Sequence, residues 1–198
     1  VIFVLVSYLP IPNKVGEMKT KPTQYAVRAL NSYGIHPDII IARSDRPLDQ
    51  KRKEKLAFSS NVPAKHIISA PDVDNIYEIP LNFEKDGLST TVLKLLKIRP
   101  RQEDLKEWRQ MVERMKTSTK EIKIGVVGKY FKTGDYILAD VYISVIESLK
   151  HAAGILGRKL VLDWLEAADY EKGDSSSLKK LLEYDGLLYL SGFEIKEQ

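Results

Sequence analysis

The sequence contains no cysteine, and this absence narrows the chemistry open to the chain. Disulfides, thiolate-bound metals and a cysteine nucleophile are all excluded within these 198 residues, and a reducing compartment fits the composition. Histidine is scarce too, since only three occur: His36, His66 and His151. Their positions have no ligand spacing with carboxylates or with one another, so the sequence does not predict a histidine-based metal site.

Long apolar runs and a strong charge imbalance are also missing. No window reaches the roughly 18 apolar residues that a membrane span needs, and no signal-peptide pattern is present. The net charge of +4 is mild, so it favours small anions at local basic positions over general nucleic-acid binding. We therefore expect a cytoplasmic protein that binds neither membranes nor nucleic acid.

The first half of the chain alternates apolar runs with helical patterns. The run VIFVLVSYL, residues 1–9, predicts a strand buried on both faces, and PDIIIARSD and HIISAPDV predict two more. A helical pattern starts at Thr23 with Pro22 in its first turn, and Pro47 is expected to open a charged helix. This order predicts an α/β fold with mainly parallel strands.

The composition changes over residues 99–120, where charge rises and an amphipathic pattern carries Leu105, Trp108, Met111 and Met115. Such a stripe is typical of core packing. A new alternation of strands and helices begins with IKIGVVGKY. We therefore predict two partial three-layer α/β/α units with mainly parallel sheets, joined by a helical linker. The chain begins without methionine inside an apolar run, so we expect a section of a longer protein.

The segment GEMKTKPTQ follows the first predicted strand, where open α/β sheets bind ligands at helix N-termini. It is rich in side chains that donate hydrogen bonds: Lys19, Thr20, Lys21, Thr23 and Gln24. The lysines could neutralise phosphates, and Pro22 would stiffen the loop. On composition alone, a solvated loop capped by threonine is the commoner structure.

Three other segments have ordinary explanations when each is taken alone. DQKRKEKLAF, with Lys51, Arg52, Lys53 and Lys55, is typical of a solvated helix face. The aspartates of APDVDNIYEIP could cap a helix or contact a nucleotide. GVVGK lacks the spacing of a phosphate-binding loop, which favours a turn at the end of a strand.

Six segments taken together carry a more specific signal. GEMKTKPTQYAV, GIHPDIIIARSDRP, KLAFSSNVP, ISAPDVDNIYEIP, VGKY and YISVIESLKHA resemble the CTP synthase family in the same order and at nearly the same spacings. The resemblance implies that residues 1–98 are the C-terminal part of a P-loop, dethiobiotin-synthetase-like amidoligase domain. Residues 99–120 would be the interdomain helix. Residues 121–198 would begin a flavodoxin-like class I glutamine amidotransferase domain.

The resemblance also implies an activity. In this family ATP phosphorylates the 4-oxygen of UTP, and ammonia released from glutamine in the other domain displaces the phosphate to give CTP. We therefore expect UTP, CTP, ATP and glutamine as ligands, magnesium with ATP, GTP as an allosteric activator, and a homotetramer built as a dimer of dimers.

Site residues follow from the same resemblance, residue by residue. The family segment that binds the UTP triphosphate and the inhibitor CTP corresponds here to Lys19, Thr20, Lys21, Pro22, Thr23 and Gln24. A further nucleotide-contacting lysine corresponds to Lys55, and the turn beside the ATP base to Pro71, Asp72 and Val73. Gly192 corresponds to the glycine whose backbone holds the glutamine oxyanion.

The sequence departs from the family pattern in two ways. Ser191 and Glu194 stand where the family has glycines, which disfavours the backbone of an oxyanion hole. The family P-loop and magnesium carboxylates are expected before Val1, and its glutaminase triad after Gln198. We therefore expect no catalytic residue and no metal ligand in this chain. A non-catalytic nucleotide-binding regulatory or assembly module, and an α/β protein whose loops are only structural, remain alternatives.

Overall fold

The computed structural model describes residues 1–14, 16–101, 104–128, 132–133, 136–137, 142–171 and 175–189. The chain divides into two compact units, Val1–Leu105 and Lys106–Gln198. Each contains a small parallel sheet with helices, so the α/β class predicted from the sequence is confirmed. Within the described residues, no helix is both long enough and apolar enough to cross a membrane.

The first unit is built on a three-stranded parallel sheet in the order β1-β2-β3. Its elements in chain order are β1 (Val4–Tyr8), α1 (Lys21–Ser32), β2 (Ile39–Ser44), α2 (Gln50–Ser60), β3 (Ile67–Pro71), α3 (Ile79–Lys85) and α4 (Leu88–Leu95). Single turns of 3-10 helix lie at Ala64–His66 and Ile76–Glu78. The loops that follow the strands therefore meet at one edge of the sheet.

One face of this sheet forms the core of the unit under α1 and α2. Its fully buried side chains come from β2, β3, α1, α2 and the residue that follows β1: Leu9, Val27, Ile40, Leu56 and Ile67. Burying a side chain of this size stabilises a fold by about 1.5 to 3 kcal/mol. The core therefore fixes α1 and α2 beside each other.

The burial of β1 differs from the prediction. The strand was expected to be buried on both faces, but Val4, Val6 and Tyr8 are 42%, 58% and 48% exposed. They alternate with Leu5 and Ser7, which are half-buried. In the described part of the chain β1 is an edge strand, so a continuous apolar run does not mean burial on both sides here.

Helix boundaries follow local capping. α1 begins at Lys21 with Pro22 in its first turn, as expected of a residue without an N–H. α2 begins at Gln50 and not at Pro47, because the Asp49 carboxylate accepts a hydrogen bond from the Arg52 backbone N–H at 2.8 Å. Asp49 is thus the N-cap that defines the start of α2.

The second unit has a three-stranded parallel sheet in the order β7-β4-β8. Its elements are α5 (Lys106–Thr117), β4 (Glu121–Gly128), β5 (Lys132–Thr133), β6 (Tyr136–Ile137), α6 (Ile143–Ile155), β7 (Lys159–Glu166), α7 (Ala168–Glu171), α8 (Ser175–Lys180) and β8 (Gly186–Tyr189). A 3-10 turn at Leu181–Glu183 precedes β8, and β5 and β6 pair as a short antiparallel ribbon.

Two glycines of the second unit are explained by packing. A Cβ on Gly125, in the central strand, would come within 2.7 Å of Leu165 Cδ1 and 2.8 Å of Leu187 Cδ2. Gly154 of α6 faces Met115 of α5, whose Cγ would lie 3.0 Å from an added Cβ. The amphipathic helix expected over residues 99–120 is present as α5, and Met115 of its apolar stripe packs against Gly154 of α6.

Candidate functional site

A cleft of about 470 Å³ lies between the loop after β1 and the first turns of α2. Five cationic side chains line it: Lys19, Lys21, Lys51, Arg52 and Lys55. Glu17, Met18 and Thr20 complete the lining. We call it the cationic cleft. It brings three lysines that were singled out in the sequence, Lys19, Lys21 and Lys55, to one place.

The N-terminus of α1 forms one wall of the cationic cleft. Thr20 is at the N-cap position, and its side chain makes no capping hydrogen bond to the helix. The N-terminal turn of a helix carries unpaired amides and the positive end of the dipole, so negative charge is favoured beside Thr20 and Lys21. The N-terminus of α1 and the lysines therefore both favour a negatively charged ligand in the cleft.

Thr20 and Gln24 hold each other within this first turn. Gln24 Nε2 donates to Thr20 Oγ1 at 3.1 Å, and the Gln24 backbone N–H donates to the Thr20 carbonyl at 3.1 Å. Thr20 is buried and Gln24 half-buried. Gln24 is therefore not part of the cleft lining. Its side chain can reach a ligand, as predicted, only when the hydrogen bond to Thr20 Oγ1 breaks.

The structure places Thr23 differently from the sequence-based expectation. It was expected to donate its hydroxyl to a ligand, but it is fully buried and its Oγ1 lies 2.9 Å from Ser7 Oγ. Buried hydroxyls need an internal hydrogen-bond partner, and Ser7 is that partner for Thr23. The Thr23 hydroxyl therefore does not face the cleft. Pro22 is exposed, and its place in the first turn of α1 is structural.

Arg52 anchors the loop that carries Lys19 and leads into Lys21 at the start of α1. Its Nε donates to the Met18 carbonyl at 3.1 Å, and its guanidinium also pairs with Asp49. A second arginine, Arg46, donates to the Gly16 carbonyl. Arg52 was treated as part of a solvated face in the sequence, although the Asp49-x-x-Arg52 spacing at a helix start was a signal that could have identified it.

One carboxylate stands among these cations. Lys19 Nζ donates to Glu17 Oε2 at 2.7 Å, and Arg52 Nη2 lies 3.6 Å from Glu17 Oε1. The hydrogen bond from Lys19, the charge of Lys19 and the weaker effects of Arg52 and Lys55 hold the pKa of Glu17 below its ordinary value. Glu17 is therefore ionised at neutral pH and was not identified from the sequence.

Lys53 belongs to a different contact, although it lies between cleft residues in the sequence. Its Nζ donates to Asp86 Oδ2 at 2.8 Å, and the side chains are only 18% and 24% exposed. The same carboxylate oxygen accepts the Ser69 backbone N–H at 2.6 Å. Residues two apart on a helix point in different directions, so α2 presents Lys55 to the cleft and Lys53 to the turn after α3.

A second, mainly apolar depression of about 660 Å³ lies at the exposed face of the first sheet. Pro71, Asp72 and Val73 line it, together with apolar side chains of the strands and α3. Asp72 Oδ1 pairs with Arg43 Nη2 at 3.1 Å. An apolar depression with a few polar groups at its edge suits a flat ring system. We call it the Pro71 depression.

Two further expectations concern the glutamine-binding glycine and metal ligands, and neither involves the cationic cleft or the Pro71 depression. Gly192, expected to hold the glutamine oxyanion, lies outside the described residues, and so do Ser191 and Glu194. Among the described residues, no group of three histidine or acidic side chains is arranged to hold a metal ion. The cationic cleft offers charge and hydrogen-bond donors, and this chemistry suits the binding of a phosphorylated anion.

Fold and cleft define the class of the first unit: a parallel α/β domain with a cation-lined cleft at a helix N-terminus. Residues 1–98 match the family model described as CTP synthase N-terminus, and they belong to the CTP synthase family.

Relatives named CTP synthase extend the similarity to nearly the whole chain. The protein of Thermococcus gammatolerans is 44% identical over 193 residues, which is 98% of this chain and 35% of the relative. That of Picosynechococcus sp. is 41% identical over 196 residues, 99% of this chain and 34% of the relative. That of Pyrococcus furiosus is 44% identical over 194 residues. The chain thus spans about one third of the length of these relatives.

Proposed function

We propose that this chain is part of a CTP synthase, a ligase that aminates UTP to CTP with ATP and with ammonia from glutamine. Two observations support the proposal. The similarity to proteins of that name covers almost the whole chain. The cationic cleft gathers Lys19, Lys21 and Lys55, the lysines that the family resemblance assigns to nucleotide binding.

The cationic cleft is the site proposed for the UTP triphosphate and for CTP. A charge-assisted hydrogen bond contributes about 1.5 to 3 kcal/mol, so several lysines together can hold a triphosphate. Lys19, Lys21 and Lys55 are the proposed ligands, with Thr20 at the start of α1 beside them. Arg52 holds the loop in position through the Met18 carbonyl.

The Pro71 depression is the site proposed for the ATP base. Its apolar lining suits the face of a purine, and Pro71, Asp72 and Val73 are part of that lining. Magnesium would accompany ATP, but the described residues offer no group that fits a metal ion, so no step involving magnesium is assigned to this chain. GTP activation and a homotetramer are part of the proposal on family resemblance alone.

The proposed domain roles follow the same resemblance. Residues 1–98 would be the C-terminal part of the amidoligase domain, 99–120 the interdomain helix, and 121–198 the start of the glutamine amidotransferase domain. This chain would then position the acceptor nucleotide, while the chemistry would use residues elsewhere in the complete protein.

A second candidate is a non-catalytic nucleotide-binding regulatory or assembly module. It is favoured by the cleft lining among the described residues, which supplies cations for binding an anion but includes no histidine for proton transfer. Incubating the complete protein with UTP, ATP, magnesium and glutamine, and measuring CTP by chromatography, separates the two. CTP formation supports the ligase, whereas tight UTP binding without CTP formation would support the module.

A further inference from the structure

Glu17 occupies the part of the cationic cleft where an anionic ligand would bind. Among the described residues that line the cleft, it is the only acid. Its two carboxylate oxygens face two different cations, Lys19 Nζ at 2.7 Å and Arg52 Nη2 at 3.6 Å. The carboxylate therefore bridges the loop and α2 in the way that a phosphate group would.

The two cations are held in unequal ways. Arg52 keeps other partners, the Met18 carbonyl at 3.1 Å and the Asp49 carboxylate, so its guanidinium stays in place if Glu17 moves. The Lys19 and Glu17 side chains are 40% and 55% exposed. Exposed ion pairs are weak, so the contact between Glu17 and Lys19 can exchange for a stronger anion.

We propose that Glu17 is an internal competitor for the cationic cleft: its carboxylate pairs with Lys19 and Arg52 until a nucleoside triphosphate displaces it. This inference rests on the proposed function and concerns the regulation of the same site. Glu17 lowers affinity for the triphosphate and gives Lys19 a partner in the free protein. A carboxylate that instead contacted the bound nucleotide would raise affinity, so the two roles predict opposite signs.

The test is calorimetric titration of the complete protein with UTP, comparing wild type with Glu17→Gln. The variant removes the competing charge, and we expect binding about two- to fivefold tighter, in keeping with the strength of exposed ion pairs. Because the effect is electrostatic, the ratio of the two affinities should approach one as salt is raised.

Glu54→Gln is the matched control. It makes the same charge change on α2, but Glu54 is not part of the cleft lining and accepts a hydrogen bond from Gln50 Nε2 at 2.9 Å. We expect its affinity for UTP to equal that of wild type. An equal gain in both variants would overturn the inference, since net charge alone would then explain it.

The remaining outcomes separate this inference from the proposed function. If wild type binds UTP and Glu17→Gln binds it equally well or more weakly, the competitor role is wrong and the proposed function stands. If wild type does not bind UTP, both are overturned. Circular dichroism of each variant confirms that the comparison is made between folded proteins.

Discussion

The side-chain oxygens of Ser7 and Thr23 lie 2.9 Å apart and join β1 to the first turn of α1. The intervening loop is also held by the Lys19 backbone N–H, which donates to the Pro10 carbonyl at 2.9 Å. The loop that presents Lys19, and the first turn of α1 that presents Lys21, are thus fastened to the sheet. The Ser7 and Thr23 hydroxyls position the cleft wall from the side of the sheet, while Arg52 holds it from the side of α2.

Replacing Thr23 with valine tests this relationship. Valine keeps the shape but removes the hydroxyl, so we expect the opening free energy of β1 and α1 to fall by about 1 to 3 kcal/mol. Hydrogen exchange of peptides from these elements in the complete protein measures it. Thr90→Val, at an exposed position of α4, is the control and should change little. Equal effects of the two variants would argue against the role of the pair.

The Lys53 and Asp86 pair should contribute more than an exposed pair of the same unit. Both side chains are mostly buried, and Asp86 also accepts the Ser69 N–H, so we expect a coupling energy of about 0.5 to 3 kcal/mol in a double-mutant cycle. Urea unfolding of wild type, Lys53→Met, Asp86→Asn and the double variant measures this coupling energy.

The exposed Arg43 and Asp72 pair is the comparison, with side chains 58% and 51% exposed. Its coupling energy should stay below about 1 kcal/mol, because water screens both charges. A coupling of the same size in both cycles would contradict the structural difference between them.

Gly125→Ala should destabilise the second unit by about 1 to 3 kcal/mol, since the new methyl group would press on Leu165 and Leu187. Gly186→Ala is a milder comparison, because its Cβ would lie 3.2 Å from the end of the Ile124 side chain, which can move. Hydrogen exchange in β4 and β7 ranks the two variants. A larger loss of hydrogen-exchange protection in Gly186→Ala than in Gly125→Ala would contradict the tighter packing at Gly125.

Alkaline pH should weaken the second unit partly through Tyr184. Burial raises its pKa above the ordinary value of 10.0, and a hydrogen bond with Asp163 adds to the shift. The folded state favours the neutral phenol, so this stabilisation is present below pH 10 and is lost as pH rises through the raised pKa. Tyr184→Phe should therefore show a flatter dependence of unfolding free energy on alkaline pH than wild type. Equal slopes of unfolding free energy against pH in Tyr184→Phe and wild type would contradict this role of Tyr184.

The three strands of the first unit, and the place of the lysine-rich segment after the first of them, could be predicted from the sequence. Apolar runs separated by helical patterns predicted β1 to β3, and the GEMKTKPTQ segment was placed correctly after β1. The exposed face of β1 could not be predicted, since both faces of that run are apolar and the pattern carries no alternation. Burial there depends on what packs against the sheet.

Side-chain partners were harder to predict than elements. The bridge from Glu17 to Lys19 and Arg52 joins a loop to a helix that lies far along the chain, and it depends on how α2 docks. The separation of Lys53 from Lys55 was accessible from helix geometry alone. The family resemblance selected Lys55 among four cations, and the structure places it in the cleft with Lys19 and Lys21.

The central claim, that the cationic cleft binds a nucleoside triphosphate, is tested most directly by UTP titration of the complete protein carrying Lys21→Ala. Losing one charge-assisted hydrogen bond should weaken binding about tenfold or more. Lys65→Ala, at an exposed position outside the cleft, is the matched control and should bind UTP like wild type. Unchanged affinity of Lys21→Ala, or an equal loss in both variants, would contradict the assignment.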